Sequence, residues 1–422
     1  MFPWAEPTLL QSTSAWIRQV LTLALTSAFC ASSASALASP QPTFVWPIPA
    51  WMAPPPVPAD NPMTPEKVEL GRHLFYDARL SADNTVACVS CHVQDRAFTD
   101  NRPLAIGINN EIGIRNAPSL ANVGYFPFLT WGNPYLDKLE VQALIPIFGD
   151  HPIEMGSNGK EQDIFEKLSK DPYYKKAFAQ AFTERAQIDL FTITRALAAF
   201  QRSLVSVNSP YDRFKYWGES LAISESAKRG EQLFFNHRFE CYHCHIGIHL
   251  TNNNQTAYSP FREFGAHNTG LYNLDDVGSY PPTAVGLYEF TGERRDMGRF
   301  RTPSLRNVAM TAPYFHDGSA ATLREVIAHY AKGGRRIDEG PFAGNGARNP
   351  HKDALIVGFE ASHQEIEDLI AFLESLTDTD FMNNPAYSDP WPSEHPARAQ
   401  RAMPLLNKST DGHYQRSKVS LP

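Results

Sequence analysis

At 422 residues the chain is long enough for two or three domains, and 42% hydrophobic residues can fill ordinary cores. A net charge of −7 leaves no basic excess to attract nucleic acid or an anionic membrane surface. The chain holds five cysteines, four of them in two repeats of one short pattern.

The N-terminus reads as a secretory signal peptide over 1–38. Arg18 precedes an apolar run from Val20 to Ala31, and Ala36-Leu37-Ala38 supplies an A-x-A cleavage site. The fifth cysteine, Cys30, lies in that run, and Phe29 before it is a poor neighbour for a lipidated cysteine. The run falls short of the roughly 20 apolar residues that cross a bilayer, so no membrane span is expected in the mature protein. The expected location is the periplasm.

Residues 39–63 are rich in proline and read as an extended arm. A helix is expected from Thr64-Pro65-Glu66, with proline in its first turn and Val68, Leu70, Leu74 and Phe75 along it. Ser224-Glu225-Ser226 opens another helix in the same way. Both run into Gly-x-x-Leu-Phe, at Gly71–Phe75 and Gly230–Phe234, and both precede a cysteine pattern. A duplicated helical unit follows from that repeat. Between the two, Glu161–Lys170 and Thr192–Leu204 read as helices, with Ile193, Leu197, Phe200 and Leu204 on one buried face. Long loops are expected over 246–300, helices again at Ala321–Tyr330 and Gln364–Leu376, and a polar tail over 381–422 that wraps the surface or lacks order. The fold class is all-α, with little β structure. The expected domains are an N-terminal unit over 64–215 and a C-terminal unit over 216–380.

The two cysteine patterns are Cys88-Val89-Ser90-Cys91-His92 and Cys241-Tyr242-His243-Cys244-His245. C-x-x-C-H is the attachment signature of a c-type haem: two thiols reach the two vinyl groups, and the following histidine places an imidazole under the iron. Zinc ribbons pair two C-x-x-C units about 15–20 residues apart, far closer than 88 and 241. Two covalently bound c-type haems are therefore expected, with His92 and His245 as proximal ligands. Two separate zinc or redox motifs are the competing reading. Haem of this type is attached outside the cytoplasm in bacteria, in keeping with the leader.

Further segments resemble the bacterial dihaem cytochrome c peroxidase and MauG superfamily. They are Arg115–Asn122, Leu139–Pro146, Pro152–Gly156, Thr302–Val308 and Thr311–Gly318, and with the haem motifs the resemblance runs from about residue 64 to 378. It implies that hydrogen peroxide reacts at the first haem, whose distal pocket would hold Gln142, Pro146 and Glu154. A carboxylate there can shuttle the peroxide proton between oxygens. On the residues alone, Gln142 and Glu154 could equally be a solvated helix face or cap. There is no histidine between 93 and 150, so a second imidazole at this haem would have to come from His151. Trp131 matches a tryptophan between the haems that can relay electrons, although tryptophan is also a common core residue. Tyr330 matches the sixth ligand of the second haem, where peroxidases carry Met and MauG-like enzymes Tyr; adjacent His329 is the main competitor. Asn116, Thr311 and Pro313 match residues that bind one calcium ion, a hard cation suited to oxygen donors.

Phe264-Gly-Ala-His267-Asn-Thr-Gly, Gly286–Glu289, Asp296–Arg301, Thr130–Pro134 and Ile147–Asp150 are similar to a narrower branch, the MbnH type. That likeness implies that peroxide drives the haem pair to a bis-Fe(IV) state, which oxidises a tryptophan to kynurenine on a secreted, MbnP-like copper-binding protein. Two alternatives stay open: a cytochrome c peroxidase fed by a small cytochrome or cupredoxin, and an electron-carrying dihaem cytochrome.

Overall fold

The computed structural model describes residues 44–401, so the leader read over 1–38 and the end of the tail, 402–422, lie outside the described residues. The helices in chain order are α1 (Pro65–Phe75), α2 (Leu139–Gln142), α3 (Leu144–Phe148), α4 (Glu161–Ser169), α5 (Pro172–Ala181), α6 (Leu190–Ser203) and α7 (Pro210–Tyr216). They continue with α8 (Glu225–Phe234), α9 (Tyr288–Thr291), α10 (Leu323–Ala331), α11 (His363–Glu374), α12 (Thr379–Asn383) and α13 (Pro396–Ala399). Among the described residues strand is confined to two short antiparallel pairs. β1 (Ala266–Asn268) sets Ala266 opposite Arg301 and His267 opposite Phe300 of β2 (Arg299–Arg301), and β3 (Arg336–Ile337) pairs with β4 (Gly344–Asn345). The fold is all-α.

Local chemistry sets the helix starts. The Thr64 hydroxyl accepts the Lys67 N–H at 3.2 Å, and Pro65 sits where its missing N–H is not needed. Ser224 caps α8 the same way through Ala227. The repeated glycines then bring helices together. A Cβ at Gly71 on α1 would stand 1.9 Å from the Ala196 carbonyl oxygen and 2.8 Å from Phe200 Cβ, both on α6. At Gly230 on α8 it would stand 1.9 Å from the Asp368 carbonyl oxygen and 2.8 Å from Phe372 Cβ on α11. The Gly-x-x-Leu-Phe repeat is thus the sequence trace of one helix crossing built twice.

Each crossing anchors its own core. Around α1 and α6 lie Leu70, Leu74, Phe75, Ile193, Leu197, Phe200 and Leu204, none more than 1% exposed, each contributing about 1.5–3 kcal/mol by leaving water. Around α8 and α11 lie Tyr211, Phe234, Leu369, Phe372 and Leu376. A third, smaller cluster of Leu271, Tyr272, Tyr280 and Phe300 has Trp131 and Phe315 packed on it.

Two polar-looking segments are tied down more firmly than their composition suggests. In the proline-rich arm Met52 joins the first core, and fully buried Asn61 donates to Glu140 at 2.8 Å and to the Arg195 carbonyl at 3.1 Å. The stretch after 380 does more than wrap the surface. Phe381, Tyr387, Trp391 and Ala397 enter the first core, and the Trp391 indole donates to the His73 carbonyl at 2.9 Å. Aromatic anchors at wide spacing supply what the surrounding polar residues hide. Among the described residues no helix is long and apolar enough to cross a membrane.

Candidate haem-binding site

Each C-x-x-C-H segment forms a single tight turn, Cys88–Ser90 and Cys241–His243, closed by the His92 N–H on the Cys88 carbonyl at 3.0 Å and the His245 N–H on the Cys241 carbonyl at 3.1 Å. His92 Nδ1 lies 2.8 Å from the Phe98 carbonyl, and His245 Nδ1 lies 3.0 Å from the Leu250 carbonyl. A carbonyl only accepts, so each Nδ1 carries the proton and each Nε2 keeps its lone pair. A metal-bound histidine is normally held this way. Burial pushes both imidazoles down, His245 to about 4, against the pull of Phe98 and Pro118 on one ring and Leu250 and Pro303 on the other. Both stay neutral at physiological pH, the form that binds iron.

The thiols argue against the competing readings. Burial pushes Cys88 and Cys241 up to about 12, whereas a redox C-x-x-C needs a depressed, thiolate-forming cysteine. Among the described residues neither cysteine pair belongs to a cluster of three metal-ligating groups, as zinc would require.

Around the second motif runs a mostly apolar cavity of about 250 Å³, lined by Cys241, Cys244, His245, Trp131, Tyr330 and Arg301 among others. Tyr330 on α10 faces it. Burial raises its phenol well above the usual range, and proximity to Cys244 and Cys241 raises it further. His329, next in the chain, is turned away: its Nε2 donates to the Thr269 carbonyl at 2.9 Å, and burial lowers it to about 4. Successive side chains on a helix diverge by about 100°, so one of the pair faces the cavity and the other does not.

Trp131 and the three residues matched to calcium come together at this cavity. Asn116, Thr311 and Pro313 all line it. The Trp131 indole donates to the Asn116 carbonyl at 2.8 Å, while the Asn116 side-chain amide donates to the Arg102 carbonyl at 2.7 Å. Asn116 is two residues before Pro118, whose carbonyl acts on His92, so this short segment links the first motif to the cavity wall.

On the first side, α2 and α3 follow one another, with half-buried Gln142 closing α2 one turn before Pro146. The Pro146 carbonyl accepts the Met155 N–H at 3.0 Å, which brings Glu154 beside it. Glu154 in turn raises both Cys88 and Cys91 electrostatically, so its carboxylate faces the first motif. Burial raises its own carboxyl above the ordinary carboxylate range. A carboxyl raised in this direction is a better proton donor and acceptor than an ordinary surface carboxylate. His151 is exposed.

Two groups stand inside segments quoted from the sequence, where no role was legible for them. Arg301 on β2 is 4% exposed and 5.4 Å over the Trp131 ring, and among the described residues it has no carboxylate partner and its Nε no hydrogen bond. Burial lowers it to about 10. A buried cation without a counter-ion is costly, and the carboxylates of a haem would relieve it. The second is His267 on β1. Burial alone would lower it, but the Asp353 carboxylate at 2.6 Å and nearby Cys244 outweigh that and hold it up to about 9. A pair 86 residues apart leaves no local sequence signal. The neutral imidazoles fit haem at both motifs, and the unpaired guanidinium fits it at the second.

Comparison with known proteins agrees. A family model described as di-haem cytochrome c peroxidase matches residues 65–220. The methylamine utilization protein MauG of Methylorubrum extorquens is 34% identical over 323 residues, 76% of this chain and 81% of that protein. Cytochrome-c peroxidase IdrP1 of Denitromonas iodatirespirans is 32% identical over 382 residues, 86% and 94% of the two chains. The crystal structure of a MauG-like protein associated with microbial copper homeostasis shares 47% identity at a TM-score of 0.80, covering 83% of this chain and all 100% of that one. The chain belongs to the di-haem cytochrome c peroxidase and MauG family. It is a haem-dependent oxidoreductase that acts with hydrogen peroxide.

Proposed function

We propose that this protein is a periplasmic oxidase of the MauG and MbnH type, which uses hydrogen peroxide to convert a tryptophan to kynurenine on a secreted, MbnP-like copper-binding partner. The observation that carries the reading is Tyr330: its phenol faces Cys241 and Cys244 in the cavity, while His329 is tied to Thr269. A 47%-identical MauG-like protein linked to copper homeostasis supports the choice of partner.

Two covalently attached c-type haems, one in each unit of 64–215 and 216–380, supply the reaction with peroxide and the storage of its oxidising power when bound. Cys88, Cys91, Cys241 and Cys244 hold them, with His92, His245 and Tyr330 as iron ligands. Tyrosine is a hard anionic donor that favours oxidised iron, where methionine would favour reduced iron. Glu154 moves the peroxide proton between oxygens, and Gln142 and Pro146 wall the space beside it. Trp131 passes electrons between the two sides, so a bulky substrate can dock outside while peroxide reacts inside. Asn116, Thr311 and Pro313 hold a calcium ion through oxygen donors.

The test uses the purified diferric protein, its Tyr330→Phe and Tyr330→Met variants, and a secreted copper-binding protein of the proposed partner class. One high-spin and one low-spin EPR signal are expected, with peroxide consumed without prior reduction and the partner tryptophan altered in mass. Both substitutions should abolish the change in the partner. Two low-spin signals, with turnover only after half-reduction and electrons from a small cytochrome, would instead identify a cytochrome c peroxidase.

A further inference from the structure

One cluster of metal-ligating side chains stands apart from the groups used above. His237, Glu240 and His243 each offer one ligand atom, and these atoms lie within 4.8 Å of one another. The spacing His-x-x-Glu-x-x-His runs from a loop into the turn Cys241–His243, for which Glu240 is the capping residue. The loop beneath is pinned. Asn236 Oδ1 accepts the N–H groups of Arg238 at 2.9 Å and Phe239 at 3.2 Å, the Asn236 carbonyl accepts that of Glu240 at 3.2 Å, and Phe239 is 4% exposed.

The three ligand atoms lie close together. His243 Nε2 comes within 2.5 Å of Glu240 Oε2, yet that buried oxygen makes no hydrogen bond of acceptable direction. His237 Nδ1 stands 3.8 Å from Glu240 Oε1. Metal–ligand bonds of about 2.0–2.1 Å set two ligand atoms of one ion roughly 3 Å apart, so the His243–Glu240 pair must open slightly and the exposed His237 ring close to complete the set. The Tyr242 hydroxyl, 2.9 Å from His237 Nδ1, is the group an ion would displace there.

We propose that His237, Glu240 and His243 form a binding site for a divalent transition-metal ion, copper(II) foremost. Two imidazoles and one carboxylate are the wrong donors for calcium or magnesium, and such a nitrogen-rich set binds copper(II) more tightly than zinc or nickel. Three protein ligands leave positions for water, so the ion exchanges with solvent. The site is distinct from the haem positions, although His243 lies between Cys241 and Cys244, and the inference depends on neither the substrate nor the reaction proposed above.

The experiment titrates the haem-loaded, chelator-treated protein with copper(II), followed by calorimetry and by the copper EPR signal. One equivalent should bind, with nitrogen hyperfine splitting from two imidazoles and zinc competing at higher concentration. Loss of an outer-shell partner alone weakens metal sites about 10–100-fold, so H237A and H243A should each weaken binding by ~100-fold or more. Both residues keep solvent access, and unchanged haem absorbance checks folding. Tyr242→Phe should tighten binding, a direction that a purely structural role for the cluster does not give. Absence of stoichiometric binding, or binding unchanged in the H237A/H243A double variant, overturns the proposal.

Discussion

The duplicated glycine crossing can be tested by adding one methyl group to each half. In Gly71→Ala the new Cβ meets the Ala196 carbonyl oxygen at 1.9 Å, and in Gly230→Ala it meets the Asp368 carbonyl oxygen at the same distance. Ordinary Cβ contacts begin at 3.4 Å, so each helix pair must part locally by about 1.5 Å, and the partner atom is backbone that cannot rotate aside. Overpacking of this kind costs about 1–3 kcal/mol, and a backbone clash belongs at the upper end. Replacing glycine by alanine in a helix returns about 1 kcal/mol, which leaves a net loss of about 2 kcal/mol in each variant. Denaturation of the haem-loaded protein should therefore show two matched losses. The EPR signals should separate them: Gly71→Ala should broaden the signal of the His92 side and Gly230→Ala that of the His245 side. An unchanged melt in either variant, or a disturbance confined to the opposite haem, would refute the claim that these crossings set the two haem environments.

The remaining predictions concern single groups. Glu154→Gln should slow the reaction with peroxide by about 10²–10⁴-fold in stopped-flow measurements and erase the pH limb set by its raised carboxyl. Arg301→Gln removes a cation 5.4 Å from the Trp131 ring, worth about 0.5–2 kcal/mol to an electron-rich indole. Trp131 should then be easier to oxidise, and peptide mass spectrometry after peroxide should find it modified more often than in the parent. Asp212 and Arg306, 1% and 3% exposed, pair at 2.7 and 2.8 Å, while Arg306 Nε also donates to the Ile248 carbonyl beside the second motif. Asp212→Asn should cost about 3–5 kcal/mol by leaving that guanidinium unpaired. Burial raises the Asp212 carboxyl, but Arg306 outweighs burial and holds it below its ordinary value. Its contribution is therefore present above the unfolded pKa of about 3.9 and fades as pH falls through the lower folded value, so acid melts of the parent should show a loss that Asp212→Asn lacks.

What could be read from the chain follows the range of each interaction. Covalent haem attachment needs two thiols and an imidazole within five consecutive residues, so those ligands are legible in any sequence that carries them. Helix starts at Thr64 and Ser224 are equally local, because a cap acts within three residues. Ambiguity begins where one turn of helix must be oriented: His329 and Tyr330 are both plausible ligands by composition, and only the packing of α10 turns one to Thr269 and the other to the cysteines. It is complete where a residue matters for what is missing around it. Arg301 reads as one of many arginines, and its isolation exists only because β1, β2 and Trp131 surround it without bringing a carboxylate. The same holds for the stretch after 380, whose scattered aromatics have no period of their own: Trp391 makes edge contacts with His73 of α1 and Tyr173 of α5, Phe381 packs on Phe98, and Tyr387 donates to the Ser203 carbonyl of α6. Catalytic chemistry is written in contiguous motifs because bonds demand it; the electrostatics that tune it are assembled from distant segments, and a sequence shows those only after the fold has brought them together.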